Sequence, residues 1–285
     1  MLNATTQQKE KIVFLGPEET YSHKAAKSLF GDKVIYNPVA SFDSVINAVI
    51  EKKADKGVIP FFNPYEEHIR ECQDKLFKTE LIATGVTKID IDLTLATNRL
   101  KLDEIKKVYS NSHVFKQCDI WLRKNLPGVI TELVTSTAKA AEEVKIIPGS
   151  AAICSLESAM KNELDTIAER IQNPKNFTLF FVIERSDSIA QRKEWGYYSF
   201  LCFKLNSSKE KMNILDILDA HHLRSSQKWD FPHPSDDYLL FFLEFFGSWL
   251  DLNVVAFIAD CKKYFKDFRL IGTFDHSITK VLETI

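Results

Sequence analysis

Short apolar runs alternate with helix-length segments along the first part of the chain. Residues 11–15, 34–36 and 56–60 are predicted strands, because each is a brief and mainly apolar run. Between them, one helix is predicted to begin at its cap Ser22 and another to span 42–52, each with apolar residues at helical spacing. This alternation predicts a parallel sheet with helices on its faces.

The same alternation continues through residues 81–153 and predicts a second α/β lobe. A strand at 179–184 follows the turn-rich residues 172–175 and is predicted to rejoin the first lobe. Two lobes joined by chain crossings place a cleft at their junction. The predicted elements of the second lobe are strands at 81–87, 92–97, 107–110, 130–134 and 151–153, and helices at 114–125 and from Ser136.

A polar stretch at residues 186–194 has no apolar period, and we place a domain boundary there. The strands and helices predicted beyond it follow the order βαββαβ, which is typical of a ferredoxin-like domain. The predicted division is a disordered or loose N-terminus at 1–11, a first domain at 12–185, a linker at 186–194 and a C-terminal domain at 195–285. Within the first domain, lobe 1 is predicted at 12–86 and 172–185 and lobe 2 at 87–171.

Composition narrows the class of protein. The chain has 37 Lys plus Arg against 39 Asp plus Glu, so no excess charge indicates nucleic acid or a membrane surface as a partner. The apolar run 238–246 is much shorter than the roughly 20 residues of a membrane-spanning helix, and a cytoplasmic location is expected. The five cysteines lack the spacing of a zinc site, so no metal site is predicted.

Several motifs follow one another in the first domain. They are Gly-Pro-Glu-Glu-Thr-Tyr-Ser-His at 16–23, Gly-Val-Ile-Pro at 57–60 followed by Asn63, Ser-Thr-Ala at 136–138 and Asn-Phe-Thr-Leu-Phe at 176–180. Their order and spacing over residues 12–184 resemble those of prephenate dehydratases, and Gln-Cys at 117–118 and Trp-Leu at 121–122 fit the same family. The C-terminal domain resembles, in length and strand order, the ACT regulatory domain that often follows this catalytic domain.

The resemblance implies a fold and a reaction. The α/β fold is a two-lobed domain like type II periplasmic binding proteins, followed by a ferredoxin-like ACT-type domain, with the small-molecule substrate between the lobes. Family enzymes convert prephenate to phenylpyruvate in phenylalanine biosynthesis, losing carbon dioxide and the ring hydroxyl, and need no metal or organic cofactor. The protein has to orient the substrate, exclude water and donate a hydrogen bond to the departing oxygen. In the family that donor is the Thr of a Thr-Arg-Phe motif, which corresponds to Thr178.

Hydroxyl-bearing residues at two predicted helix starts are candidate substrate ligands. A hydroxyl at such a position can hold a carboxylate beside the free N–H groups of the helix, although the same position also suits a plain helix cap. These residues are Thr20, Ser22, Ser136 and Thr137. The family motifs add three more candidates for substrate binding, Asn63, Asn176 and Phe180. His23 and His113 are interpreted as structural or solvated residues rather than as general bases.

Six positions at or near the cleft depart from the family's motifs. The family has Gly, Glu, Ser, Gly, His and Arg where this chain has, in that order, Glu19, Phe62, Pro64, Glu67, Asn111 and Leu179. Loss of the Arg removes a bidentate partner for a carboxylate, which typically costs about 2 to 5 kcal/mol. We therefore expect an altered pocket that binds the prephenate dianion less well.

The C-terminal domain also departs from its family. ACT domains that sense phenylalanine carry Gly-Ala-Leu and Glu-Ser-Arg-Pro motifs, and the matching residues here, 210–213 and 226–229, retain neither. This loss argues against amino-acid binding, whereas the strands suit pairing at a sheet edge. A homodimer or homotetramer is the expected assembly.

Three functions stay open at this point. The chain is a prephenate dehydratase, which Thr178 favours; or it is a prephenate decarboxylase of secondary metabolism that keeps the hydroxyl, which Leu179 and Phe62 favour; or it is a non-catalytic binder of a small aromatic acid. The product formed from prephenate separates them: phenylpyruvate, a non-aromatic dihydro-hydroxyphenylpyruvate, or none.

Overall fold

The structure, a computed structural model, describes residues 9–65, 69–189, 197–232, 238–276, 278 and 281. Most of the predicted loose N-terminus and residues 190–194 of the predicted linker lie outside these ranges. None of the described helices is both long and apolar enough to cross a membrane.

Lobe 1 is built mainly from the first 90 residues. Its strands are short and apolar, and the burial of β3 along almost its whole length shows that this strand is covered on both faces. The elements of this part are β1 (Lys11–Leu15), α1 (Tyr21–Phe30), β2 (Ile35–Val39), α2 (Phe42–Ile50), β3 (Lys56–Phe62), α3 (Ile69–Phe77) and β4 (Leu81–Asp90).

Lobe 2 follows as a separate five-stranded sheet in the order β7-β6-β8-β5-β9. Alanines on α6 and β8 lie in its core and let this helix pack close to the sheet. The elements of this lobe are β5 (Thr94–Thr97), β6 (Lys107–Ser110), α4 (Ser112–Gln117), α5 (Asp119–Asn125), β7 (Ile130–Leu133), α6 (Thr137–Val144), β8 (Ser150–Cys154), α7 (Leu156–Lys161) and β9 (Asp165–Ala168).

The chain then returns to lobe 1 as β10 (Phe177–Arg185) and the short helix α8 (Ser186–Ile189), so the predicted linker begins in a helix. The C-terminal module, residues 197–281, has the predicted βαββαβ order. Its elements are β11 (Tyr198–Leu205), α9 (Ser208–Ala220), β12 (Ser225–Pro232), β13 (Leu239–Phe246), α10 (Leu252–Tyr264) and β14 (Phe268–Phe274).

The sheet of lobe 1 is mixed, whereas the alternating pattern predicted a parallel one. β1 is parallel to β2 and β3, but β10 lies antiparallel to both β3 and β4. The reason is the chain crossing, because β10 enters lobe 1 from lobe 2 in the direction opposite to β3. The sequence pattern of a fully buried strand does not reveal its direction.

The module joins lobe 1 in one nine-stranded sheet of order β12-β13-β11-β14-β4-β10-β3-β1-β2. The junction is the parallel pair of β14 with β4, where Gly272 lies opposite Ala83. A Cβ on Gly272 would lie 2.8 Å from the Ala83 carbonyl oxygen, so the two strands approach this closely only with glycine there.

An aromatic cluster fills the space between lobe 1 and the module. Phe61 stacks on Phe181 with ring centroids 4.1 Å apart, and Phe200 contacts both rings edge-on from the module. Such aromatic pairs contribute about 0.5–1.5 kcal/mol each beyond the area that they bury. The two units therefore share a core. The division of the chain into two domains stays a prediction.

Candidate active site

A cavity of about 450 Å³ lies at the junction of the two lobes. Lobe 1 contributes its floor through β1, β3 and β10, and lobe 2 contributes the starts of α4 and α6. Seven of the predicted site positions line it: Thr20, Ser22, Asn111, Ser136, Thr137, Thr178 and Phe180. The junction of the lobes is therefore where the structure brings most of the candidate residues together.

Thr178 is the hydroxyl held most firmly at this cavity. It is 4% exposed, and its Oγ1 accepts a hydrogen bond of 2.9 Å from the Asn63 side-chain amide. No described residue accepts a bond from the Thr178 hydroxyl, and Thr178 lines the cavity, so this proton is available to a ligand there. Accepting one bond while donating another is the ordinary capacity of a hydroxyl.

A chain of buried amides fixes Asn63. Its Nδ2 also lies 3.3 Å from Asn176 Oδ1, and Asn176 Nδ2 donates to Gln117 Oε1 at 3.0 Å. The side-chain oxygen of Asn63, Oδ1, accepts from the backbone N–H of Tyr65 at 2.7 Å. Asn63 and Asn176 thus do not line the cavity but lie behind Thr178, where they orient it and connect lobe 1 to α4 of lobe 2.

Three helices of eight residues or more have their first residue in the cavity lining: α1, α2 and α6. The first turns of α1 and α6 carry no acidic residue, whereas that of α2 carries Asp43, and the described cavity lining contains no Lys, Arg, Asp or Glu. The positive ends of helix dipoles favour an anion by about 0.3–1 kcal/mol each, and more where they are partly buried. The cavity therefore suits carboxylates bound by neutral donors.

The four hydroxyls at these helix starts differ in what they already bind. Thr20 caps α1 by accepting from the His23 N–H at 3.3 Å, and its own proton is directed to the carbonyls of Leu15 and Pro17. Ser136 caps α6 by accepting from Lys139 N–H at 3.0 Å, which leaves its proton for a ligand. Ser22 and Thr137 make no side-chain bond to a described residue. The plain cap accounts for Thr20, whereas the other three hydroxyls stay candidates for substrate binding.

Tyr21 also lines the cavity, although the sequence did not single it out. Its hydroxyl donates to the Asp92 carbonyl at 2.5 Å, which connects α1 to the start of lobe 2. Burial, aided by Glu157, raises the pKa of Tyr21 well above its usual value. The phenol therefore stays protonated and acts as a donor rather than a base.

Among the described residues, four of the altered positions do not line the cavity: Leu179, Phe62, Pro64 and Glu19. The altered position Glu67 lies outside the described residues. Leu179 is fully buried and Phe62 half-buried, and both belong to the core that lobe 1 shares with the module. Adjacent residues of a strand point to opposite faces, so Leu179 points away from the face that carries Thr178. Pro64 is exposed. The side chain at position 179 therefore faces away from the cavity, whereas the expected loss of a carboxylate ligand there requires it to face the cavity.

Asn111 and Glu19 have structural roles. Asn111 lines the cavity and caps α4 by accepting from the Val114 N–H at 2.9 Å. Glu19 lies outside the cavity with φ at 66°, the left-handed region that favours glycine. This backbone conformation explains why the family's motif has glycine there. The Glu at this position affects the conformation of the turn before α1 and not the lining of the cavity.

His23 is structural, as interpreted from the sequence. It is 4% exposed, stacks on Phe14 with centroids 4.8 Å apart, and accepts the Glu19 backbone N–H on Nδ1 at 3.1 Å. This bond needs an unprotonated Nδ1. Burial, followed by the charge of Lys27, lowers the pKa of His23 below its usual value.

We expect acid to destabilise the fold through His23. Its pKa is lower in the folded chain than in the unfolded chain, where it is about 6.5, so the unfolded chain takes up a proton first as the pH falls. The stabilising contribution is complete above pH of about 6.5 and is lost below it. His23→Phe, which keeps the stacking, should flatten the fall in melting temperature between pH 7.5 and 5.5. The exposed His222→Gln is the control, and equal slopes in all three proteins would contradict this role.

Gln117 is another cavity-lining residue that the sequence did not place in the site. It is 1% exposed, lines the cavity and holds Asn176. Its signal was present in the Gln-Cys motif at 117–118, but a glutamine inside a helix is ordinarily solvent-facing, and only the fold shows its burial. Within the described residues, no group of three or more His, Cys, Asp or Glu side chains is arranged to hold a metal ion.

The first domain of the chain is similar to known proteins. The family model described as prephenate dehydratase matches residues 12–188. A bifunctional chorismate mutase/prephenate dehydratase of Aquifex aeolicus is 35% identical over 182 residues, which are 64% of this chain and 50% of that protein. The chain spans about half the length of the curated relatives that it matches first.

Solved structures show the same fold over nearly the whole chain. Prephenate dehydratase from Arthrobacter aurescens, in complex with L-Phe, aligns with a TM-score of 0.78 at 22% identity, covering 93% of this chain and 90% of that one. A structure described as GqqA, a quorum quenching acylase, aligns with a TM-score of 0.75 at 17% identity, covering 95% and 99%. At these identities the likeness shows the fold alone.

Proposed function

Because the chain belongs to the prephenate dehydratase family, we propose that it is a carbon–oxygen lyase that converts prephenate to phenylpyruvate. The observation that carries this proposal is the buried Thr178 hydroxyl, which accepts a bond from Asn63 and lines a cavity that has no Lys, Arg, Asp or Glu in its described lining. A fixed neutral donor suits the departure of a hydroxyl group. The altered positions leave this group in place.

The reaction requires little from the protein beyond positioning. The prephenate dianion and one proton give the phenylpyruvate anion, carbon dioxide and water, and formation of the aromatic ring supplies the driving force. The bond from the ring to its carboxylate breaks as the bond from the ring to its hydroxyl breaks, and that oxygen leaves with the added proton. The Thr178 hydroxyl donates to the leaving oxygen and offsets the negative charge that develops there.

The two substrate carboxylates need partners other than cations. The N–H groups at the starts of α1 and α6, with the hydroxyls of Ser22, Ser136 and Thr137, lie on opposite sides of the cavity. Apolar side chains of the floor, Phe42, Pro60, Ile91 and Phe180, suit the ring. In this proposal the helix starts bind the carboxylates, and the ring lies between them above Thr178.

The C-terminal module and the assembly belong to the same proposal. We propose that the module is ACT-type and pairs chains into a homodimer or homotetramer, and that the enzyme acts in the cytoplasm. The βαββαβ order supports an ACT-type fold for the module, and the position of β12 at the edge of the nine-stranded sheet supports pairing between chains.

Product identification tests the proposed reaction. Purified protein is incubated with prephenate, and the products are identified by proton NMR. Phenylpyruvate formed over many turnovers is the expected result. A non-aromatic dihydro-hydroxyphenylpyruvate would instead indicate a decarboxylase, and unchanged substrate a binding protein; either result would overturn the proposal.

A further inference from the structure

A second cavity, of about 620 Å³, lies where the C-terminal module meets lobe 1. It shares no lining residue with the cavity at the lobe junction. Residues of α10, β11 and β14 form most of its wall, and Ile82 of β4 and Ser186 of α8 close the side toward lobe 1. Most of the surface is apolar, from Ile82, Leu201, Ile258, Phe265, Phe268 and Leu270.

The charged residues of this cavity are all basic. Lys262, Lys266 and Arg269 line it, and no Asp or Glu does so among the described residues. Neither lysine forms an ion pair with a described carboxylate. Arg269 donates to the carbonyls of Leu76 at 3.0 Å, Phe77 at 3.3 Å and Leu81 at 2.6 Å, so its guanidinium is held at the C-terminal end of α3. The cavity lining therefore carries positive charge with no acidic residue among its described members.

Lys262 and Lys263 both lie in the last turn of α10, where a cation offsets the helix dipole. Lys263 pairs with Asp260 at 2.6 Å and does not line the cavity. Lys262 is exposed, lines the cavity and forms no ion pair in the described part of the chain. Its charge is therefore available to a ligand in the cavity.

We propose that this cavity binds an amphipathic anion, a carboxylate carried on an aromatic or branched aliphatic group. The apolar wall takes the hydrophobic group, and Lys262, Lys266 and Arg269 attract the carboxylate. The residues that correspond to the phenylalanine-sensing motifs, 210–213 and 226–229, do not line it. The site is therefore separate from that region of the module, and its proposal does not rest on the lyase activity.

An occupant of this cavity would contact both units. Ile82 pairs with Glu184 of β10, the strand that carries Thr178 at its other end, while Leu201 and Phe268 belong to the module. Bound ligand should therefore stabilise the junction of lobe 1 with the module. In the full chain, the melting temperature should rise as the ligand saturates the site.

The probe for the test is 3-phenylpropionate, with its neutral amide as the matched compound. Trp249 lines the cavity, so binding is followed by the part of the tryptophan fluorescence that Trp249→Phe removes. A saturable change with the acid is expected, together with binding of the amide that is weaker by about fivefold or more, because the amide lacks the charge. No saturable change, or equal binding of acid and amide, would overturn the proposal.

Paired variants locate the binding. Lys262→Gln with Lys266→Gln should weaken 3-phenylpropionate binding by about fivefold or more, whereas Lys209→Gln with Lys263→Gln removes the same charge from the module outside the cavity and should leave binding within about twofold. Ile258→Asp, at a half-buried position of α10, should abolish binding by placing a carboxylate in the wall. Equal losses in both lysine pairs, or full binding by Ile258→Asp, would overturn the assignment.

Discussion

Replacing Thr178 with Val is expected to lower kcat for prephenate by about 10²-fold or more, which is roughly 2.7 kcal/mol in the barrier. Valine keeps the shape and removes the proton that faces the cavity. The bond to the leaving oxygen strengthens as charge develops in the transition state, so kcat should fall much more than KM rises. Asn63 loses its acceptor as well, which adds to the loss.

Thr178→Ser is the matched control for this prediction. It keeps the hydroxyl beside Asn63 and removes only a methyl group, so most of the activity should return. Melting temperatures of the three proteins verify that the fold is intact. Turnover by Thr178→Val equal to that of the wild type would remove Thr178 from the mechanism.

Leu179→Arg should destabilise the fold by about 3–5 kcal/mol rather than improve turnover. Leu179 is 0% exposed among the apolar residues between lobe 1 and the module, with Phe62 opposite it on one neighbouring strand. On the other neighbour, the residue opposite is Lys88, so the new charge would face a like charge. Lys88 already pairs with Asp90 at 3.5 Å, so a second cation here would compete for that one carboxylate.

Thermal unfolding measures this effect. The stability of a whole domain is only about 5–15 kcal/mol, so the loss should lower the melting temperature by about 10 °C or more. Leu179→Met, which nearly conserves volume, should cost less than about 1.5 kcal/mol. A stable Leu179→Arg protein with higher kcat/KM would show that position 179 reaches the substrate and that the strand orientation described above is wrong.

Most strands and helices could be predicted because their hydrophobic periods are strong, although β9 and α7 were not. Residues 11–15 and 107–110 were predicted with the bounds that the structure has. Helix α3 was missed because its sequence is mostly polar, and it is held by four buried side chains, among them Cys72 and Leu76. Packing against lobe 1, rather than local preference, makes this segment a helix.

The motifs of the candidate site could be predicted from the sequence, but which of their residues face the cavity could not. Thr178, Ser136 and Thr137 were found because a motif preserves their order, and the fold brings them to one cavity. Leu179 was assigned to the pocket because it adjoins Thr178 in sequence, whereas the alternation of a strand separates the two. The shared core explains the apolar residues at positions 62 and 179, which interact with the module rather than with a ligand.

The ratio of phenylpyruvate to carbon dioxide formed from prephenate tests the central claim most directly. If Thr178 assists loss of the hydroxyl together with decarboxylation, the wild-type protein forms the two products in equal amounts over many turnovers, and Thr178→Val forms both at a rate lower by about 10²-fold. Carbon dioxide released by the wild type without phenylpyruvate would show that the hydroxyl is retained, and would contradict the role of Thr178 as its donor.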